Sequence, residues 1–339
     1  MTFENPTRRD AVRVIAGGAA GLATSAILTP SADAAEHTLK FASLAPPGSL
    51  WFKAFEKAAR EIKEKTSGAV EFKLYGGGVM GDERAMVRKI RTAQLDAAAV
   101  TSVGLGDIDK QLLVLQLPLV FKSNADLDKA RAKMSKTFEK ILADKGFVLL
   151  GWGDVGFVYL FSNTAVATPN DAKATKMWVW DADPITKEVA SVAGINATPL
   201  GVPDVLPSLS TGVINSFLNS PYGAVALQWH TKAKFVTDLK LAVTIGGTVL
   251  NKVTWDKMTA DQQGIVKEVS WRHHQDLLGQ IRKANDGAQA DLVKKHGYTA
   301  VKVTDFNAWK TLSDKVRSNL TGAGKLFPKA LVDEMLASI

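Results

Sequence analysis

Apolar and polar residues alternate from His37 to Ser43, with Leu39 and Phe41 on one face. A period of two is the signature of a half-buried strand. Pro46-Pro47-Gly48 turns the chain, and Ser49 caps a helix predicted to run to about Lys65, with Leu50, Phe55, Ala58, Ala59 and Ile62 along one stripe. Ser67-Gly68 ends that helix. Val70 to Tyr75 reads as a second strand, Gly76-Gly77-Gly78 as a loop, and Asp82 as the cap of a helix that buries Met86, Val87 and Ile90. Asp96 to Thr101 is a short apolar strand. The order strand, helix, strand, helix, strand predicts a mostly parallel sheet with right-handed crossovers.

Beyond this unit, Leu112 to Phe121 is apolar and interrupted by Pro118. A helix is predicted from Asn124 to Lys145, then strands from Phe147 to Trp152 and from Val158 to Asn163. Thr168-Pro169-Asn170-Asp171 is a turn, and Lys176 to Trp180 is again strand. A helix starts after Pro184, and Val202 to Leu209 forms a turn and short helix. Val213 to Leu218 is strand, Pro221 opens a helix to about Lys234, and Leu239 to Val253 holds two strands meeting at Gly246-Gly247. Thr259 and Gln262 have the spacing of a capping box. The helix they open continues to about Val293, roughly 50 Å at about 1.5 Å per residue. That is longer than one small domain needs, and it is expected to brace two lobes.

Composition narrows the reading. The chain has 339 residues, 46% hydrophobic and 22% charged, which suits two folded domains. It has no cysteine, which excludes disulfides, thiolate metal sites and a cysteine nucleophile, and suits export to an oxidising compartment. Arg8 and Arg9 precede an apolar, charge-free run from Val14 to Thr29, and Ala32-Asp33-Ala34 offers small residues for cleavage. A secretory signal over residues 1–35 is therefore expected, cleaved near Ala34/Ala35, with the protein in the periplasm. Thr7-Arg8-Arg9-Asp10-Ala11-Val12-Arg13 resembles a twin-arginine signal; a general secretory signal that happens to hold two arginines is the alternative. The net charge is +8, but lysines are scattered among acidic residues and no nucleic-acid motif appears, so no nucleic-acid partner is expected.

Catalytic and metal chemistry is not visible. The histidines are His37, His230, His273, His274 and His296; the adjacent pair faces different sides of a helix, and no His-Glu-x-x-His occurs. No Gly-x-Ser-x-Gly and no dinucleotide fingerprint appears. The triple glycine is no phosphate loop, because Gly81 is followed by Asp82 and Glu83 rather than Lys-Ser/Thr, and negative side chains there repel phosphate. No cofactor, metal or catalytic residue is expected.

Several segments in order resemble the substrate-binding proteins of TRAP (tripartite ATP-independent periplasmic) transporters. They are Phe41-Ala42-Ser43, Gly81-Asp82-Glu83-Arg84, Leu95-Asp96, Leu117-Pro118-Leu119-Val120-Phe121, Gly156-Phe157, Ser162-Asn163, Thr168-Pro169-Asn170-Asp171, Thr211-Gly212-Val213-Ile214-Asn215 and Trp255 through Gln263. The resemblance covers essentially the whole chain after the signal. It implies an α/β, two-lobed periplasmic binding protein fold with hinge strands and a long lobe-spanning helix. Lobe I would take residues 36–158 and 247–285, and lobe II residues 159–246 and 286–339. It implies a small-molecule ligand caught in the cleft, no catalysis, and delivery to a small and a large membrane subunit, which provide the only membrane contact.

The chain also departs from that family. Trp178 stands where most relatives carry a carboxylate-gripping arginine, and Val158 where many carry a second. A guanidinium fork suits a carboxylate as an indole cannot. Trp178 and Trp180 alternate with Val179, so both point to one face of their strand. The expected ligand-binding set is Trp178, Trp180, Asn219, Tyr222 and Trp152, around a small organic solute with an aromatic or apolar body. Asp181 and Asp183 are expected as turn residues before Pro184, or as partners of a cation held over tryptophan. A secreted two-lobed α/β enzyme and a sensory solute-binding protein are the competing readings.

Overall fold

The structure is a computed structural model and describes residues 35–339; the expected export signal lies outside the described residues. The strands are β1 (His37–Ser43), β2 (Val70–Tyr75), β3 (Ala97–Thr101), β4 (Phe147–Ser162), β5 (Lys176–Trp180), β6 (Asn196–Leu200), β7 (Ser216–Asn219), β8 (Phe235–Thr237), β9 (Ala242–Asn251) and β10 (Thr299–Val301). The helices are α1 (Leu50–Lys65), α2 (Glu83–Arg91), α3 (Ser102–Ile108), α4 (Asn124–Asp144), α5 (Pro169–Ala172), α6 (Pro184–Ala193), α7 (Val202–Thr211), α8 (Pro221–Ala226), α9 (Lys252–Trp255), α10 (Ala260–Lys294), α11 (Phe306–Leu320) and α12 (Lys329–Leu336), with 3-10 turns over Lys110–Gln116 and Trp229–Lys232.

The strands follow the order β2-β1-β3-β9-β4-β7-β5-β6, with β8 pairing β4 and β10. β1 pairs in parallel with β2 and β3, and β5 pairs in parallel with β6 and β7. Between these two parallel flanks run β4 and β9, antiparallel to each other from Phe147–Asn251 to Val158–Ala242. The α/β class expected from the helix–strand alternation is therefore present. Its parallel portions are separated by two long antiparallel strands shared by both flanks.

Those shared strands differ from the sequence expectation. Phe147 to Trp152 and Val158 to Asn163 are not two strands but parts of β4, and Leu239 to Val253 contains one long strand, β9, rather than two meeting at Gly246-Gly247. The alternation in β4 is broken because its register slips at two bulges, between Leu149 and Gly151 and between Asp154 and Gly156. A bulge bends a strand without ending it. Gly156 has φ +122°, and a Cβ there would lie 2.5 Å from the Asn285 side chain of α10. Asn285 donates to the Val155 carbonyl (2.9 Å) and accepts from the Tyr222 amide (3.0 Å), tying the bulge to α10 and α8. In β9, Gly246 passes so close to β3 that a Cβ would meet the Val100 carbonyl oxygen at 2.7 Å. These glycines read as breaks in the sequence, yet here they permit close backbone approach.

Local signals account for the helices. Ser49, Asp82 and Thr259 cap α1, α2 and α10, the last with the full capping box. α10 packs on α1, β4 and α8, so one helix braces both flanks. His273 and His274 face different ways, as adjacent helical residues must: His274 is buried, and His273 meets Glu61 of α1 at 2.9 Å. The helix predicted to run from Pro221 to Lys234 stops at Ala226, and a 3-10 turn follows Gln228, whose φ is +60°. β6 was not expected; it is an edge strand holding Pro199, which only an edge tolerates. β8 and β10 are three residues each, too short for a periodic signal. α11 packs on α6 and α5, whereas α12 returns to α4 and the 3-10 turn beside it. No helix among the described residues is long and apolar enough to cross a membrane.

Candidate functional site

A cavity of about 230 Å³ lies where the two flanks face each other. The first flank lines it with Ser43, Glu83, Thr101 and Gln116, the second with Trp178, Trp180, Asn219 and Trp229, and the shared strands with Gly153, Val158, Thr244 and Gly246. Carbon dominates the lining, and it includes no lysine or arginine. An engineered apolar cavity of about 150 Å³ holds benzene, so this space suits a small organic molecule rather than a polymer.

The second flank supplies an aromatic wall. Alternation in β5 points Trp178 and Trp180 the same way, with ring centroids 6.1 Å apart. Trp178 is 6% exposed, and its indole N–H donates to the Leu200 carbonyl at 3.0 Å. It meets Trp229 edge-on at 5.0 Å; Trp229 meets Phe217, and Phe217 stacks on Phe161. Trp178 therefore belongs to the cavity lining and to an aromatic core cluster at once. Asn219, at the end of β7, also lines the cavity. Its Oδ1 accepts from the Ser220 amide (2.8 Å), and its Nδ2 has no hydrogen-bond partner among the described residues.

Two of the five expected residues lie elsewhere. Trp152 does not line the cavity: it is buried against Phe138 of α4, with its N–H directed at Ser135 (3.4 Å). On β4 its side chain takes the face covered by α4, because bulges on either side of this stretch reset which residues face inward. Tyr222 does not line the cavity either. Its hydroxyl accepts from the Leu50 amide (2.9 Å) and its ring lies 4.8 Å from that of Trp51, so it joins α8 to the start of α1 at the rim. Sequence reasoning missed Trp51, Trp229 and Glu83 as lining residues. Trp51 sits in a short apolar run and Trp229 between Gln228 and His230, with no pattern pointing to a cleft.

The first flank contributes polar groups that are already engaged. Glu83 is 1% exposed and accepts from the Thr101 amide (2.8 Å), the Thr101 hydroxyl (2.8 Å) and the Gly104 amide (2.7 Å). Burial pushes its pKa up to about 8 against the pull of those donors, so it is neutral at pH 7. Asp183 caps α6 through the Ile185 amide (2.8 Å), as expected of a residue before Pro184, and accepts from Gln116 (3.2 Å); burial raises its pKa. His274 lies beside the cavity with its pKa lowered by burial to about 4, hence uncharged. Asp154 is the one lining carboxylate with cations beside it. Arg131 pairs with its Oδ1 and Arg282 with its Oδ2 (3.0 Å), and Arg282 also grips Asp128 (2.6 Å). Neither arginine lines the cavity. Among the described residues no group of histidine and carboxylate side chains is placed to hold a metal ion.

Known proteins place this architecture. A family model described as "Bacterial extracellular solute-binding protein, family 7" matches residues 41–321. A solute-binding protein of Chromohalobacter salexigens is 28% identical over 227 residues, 66% of this chain and 67% of that one. Among solved structures, a TRAP periplasmic solute-binding protein from Citrobacter koseri with bound D-glucuronate is 26% identical, with a TM-score of 0.80 over 88% of this chain and 98% of its own. One from Ralstonia eutropha with bound (S)-2-acetolactate shares the fold at 24% identity, with a TM-score of 0.80 over 89% and 98%. The family and these neighbours are solute-binding transport proteins of the periplasm, with a two-lobed α/β fold. The match across most of the described residues, on a fold with shared central strands and a facing cavity, shows that the chain belongs to the family 7 bacterial extracellular solute-binding proteins, those of TRAP transporters.

Proposed function

We propose that this protein captures a small, uncharged organic solute with an apolar or aromatic body and hands it to the small and large membrane subunits of its transporter. The observation that carries this reading is the cavity itself: Trp178 and Trp180 line it, and no lysine or arginine does. The Citrobacter koseri and Ralstonia eutropha neighbours were solved with acids. An acid desolvated here would gain no cation, and Asp183 and Glu83 would stand near it. An unpaired buried charge is costly. With Glu83 protonated and His274 neutral, the cavity instead matches an uncharged guest. The free Nδ2 of Asn219 is suited to a carbonyl, ether or hydroxyl oxygen on that guest.

Closure would move the flank of β1, β2 and β3 against that of β5, β6 and β7 about β4 and β9. We assign residues 36–158 and 247–285 to lobe I and residues 159–246 and 286–339 to lobe II, the last helix of which, α12, reaches across to pack on α4 of lobe I. An export signal over residues 1–35, cleaved near Ala34/Ala35, would deliver the chain to the periplasm.

The test is mass spectrometry of copurified small molecules, paired with a thermal-shift screen of neutral aromatics, aromatic acids, sugar acids and amines. Stabilisation by neutral aromatic or apolar compounds is expected. Stabilisation confined to sugar acids or other carboxylates would overturn the reading.

A further inference from the structure

Hydrogen bonds cross the cavity mouth at Asp82, whose role in the sequence is only to cap α2. One oxygen does the capping, accepting the Glu83 amide at 2.6 Å. The other accepts two donors from the opposite flank: the indole N–H of Trp180 at 3.0 Å and the amide of Val202, the first residue of α7, at 2.9 Å. The approach is tight. A Cβ at Gly201 would fall 2.7 Å from that same oxygen, although Gly201 has an ordinary φ of −72°. Glycine is thus required there by the carboxylate and not by the backbone. Charge-assisted bonds of this kind are roughly twice as strong as neutral ones.

We propose that Asp82 is the catch of the cleft, holding lobe II against lobe I through Trp180 and Val202, and that Trp180 serves closure through its N–H as well as lining the cavity. The neighbouring indole has no such duty: Trp178 donates within its own flank, to Leu200. Other hydrogen bonds join the lobes, among them Gln116 to Asp183, Leu50 to Tyr222, Tyr222 to Asn285 and Ser313 to Pro118, but each of these acceptors takes a single donor from the other lobe. Asp82 joins two donors to one oxygen, on elements that would separate on opening. The catch makes Asp82 a positioning residue for solute capture without requiring that it touch the solute.

The test needs no ligand, so it is independent of the solute chemistry proposed above. The chain has no cysteine, so Lys57→Cys on α1 and Ser210→Cys on α7, both exposed, give a unique spin-labelled pair. The labelled protein is unfolded and refolded to remove any copurified solute, and the interspin distance is measured by double electron–electron resonance. Three changes break the catch in different ways. Asp82→Ser keeps a good helix cap but is too short to reach across. Trp180→Phe keeps the ring and removes the donor. Gly201→Ala leaves both partners and inserts a methyl group between them. The parent is expected to show a short-distance population, and each variant a second, longer one with unchanged far-ultraviolet circular dichroism. Asp82→Ser removes the bonds to both Trp180 and Val202, so adding Trp180→Phe to it should lengthen the distribution no further. A parent without the short population, or folded variants that all retain the parent distribution, would overturn the proposal. Gly201→Ala alone decides if the other two fail to fold.

Discussion

The two walls of the cavity are built on opposite plans. The wall from α2, β3 and the first 3-10 turn carries Glu83 and Gln116, with Asp82 beside it, and their polar atoms bond to backbone groups, to one another's neighbours, or across the cleft. The wall from β5 and the second 3-10 turn carries Trp178, Trp180 and Trp229, rooted in an aromatic cluster that continues to Phe161. Polar groups on the first wall are occupied by the protein, so apart from the Asn219 amide the surface left for a solute is mainly indole and aliphatic. Formal charge near the site is a poor guide to ligand charge: Asp154 is matched by Arg131 and Arg282, and Glu83 is protonated.

The comparison breaks most severely at Trp178. Trp178→Ala removes a cavity face and a core ring together. It should cost about 3–5 kcal/mol of stability, measured by denaturant unfolding. A further loss of about 1–3 kcal/mol in affinity is expected for any compound that stabilises the parent, by analogy with bases stacked on aromatic side chains. Unchanged affinity in the folded fraction would leave Trp178 a core residue only. Next in size is Arg131→Met, which leaves Asp154 with a single guanidinium. Breaking a buried pair typically costs about 3–5 kcal/mol, and the retained Arg282 puts the expected loss at the lower end. Solute affinity should be unaffected, because Arg131 does not line the cavity.

The first wall is probed by pH. Glu83 holds its proton in the folded protein up to about pH 8, whereas the unfolded chain releases it near 4.5, the ordinary value for a glutamate. Between those values the folded state binds more protons, so this group's contribution to stability is complete below pH 4.5 and is lost as pH rises through 8. Roughly 2–4 kcal/mol is expected to disappear across that window. Glu83→Gln should flatten that slope in melts at closely spaced pH values, whatever it does to stability at pH 5; an unchanged slope would mean that Glu83 is ionised. The smallest effect belongs to Asn219→Ala. It removes a free donor and should lower affinity for an oxygen-bearing solute by about 1 kcal/mol, read by calorimetry, with little change in melting temperature.

Much of the fold was legible in short-range pattern. The β1–α1–β2–α2–β3 unit, with its Ser49 and Asp82 caps, and the α10 capping box all lie within a few residues of the groups they organise. β4 and β9 were misread as pairs of strands because their bulges and glycines, at Gly151, Gly156 and Gly246-Gly247, resemble punctuation at short range. The same bulges turned Trp152 toward α4. Trp178 and Trp180 face the same way because a period of two is intrinsic to a strand. Tyr222 lies outside the cavity lining, engaged by Leu50, a partner 172 residues away that no local pattern reveals.

By itself the sequence determined the element types, the caps, the family resemblance and the shared face of two tryptophans, since each depends on neighbours along the chain. Only the tertiary structure decided which carboxylates are neutralised, which indole N–H crosses the cleft, and which aromatic rings reach the cavity. Those outcomes depend on burial and on partners brought together from distant segments, and no local pattern encodes the free energy of such a meeting.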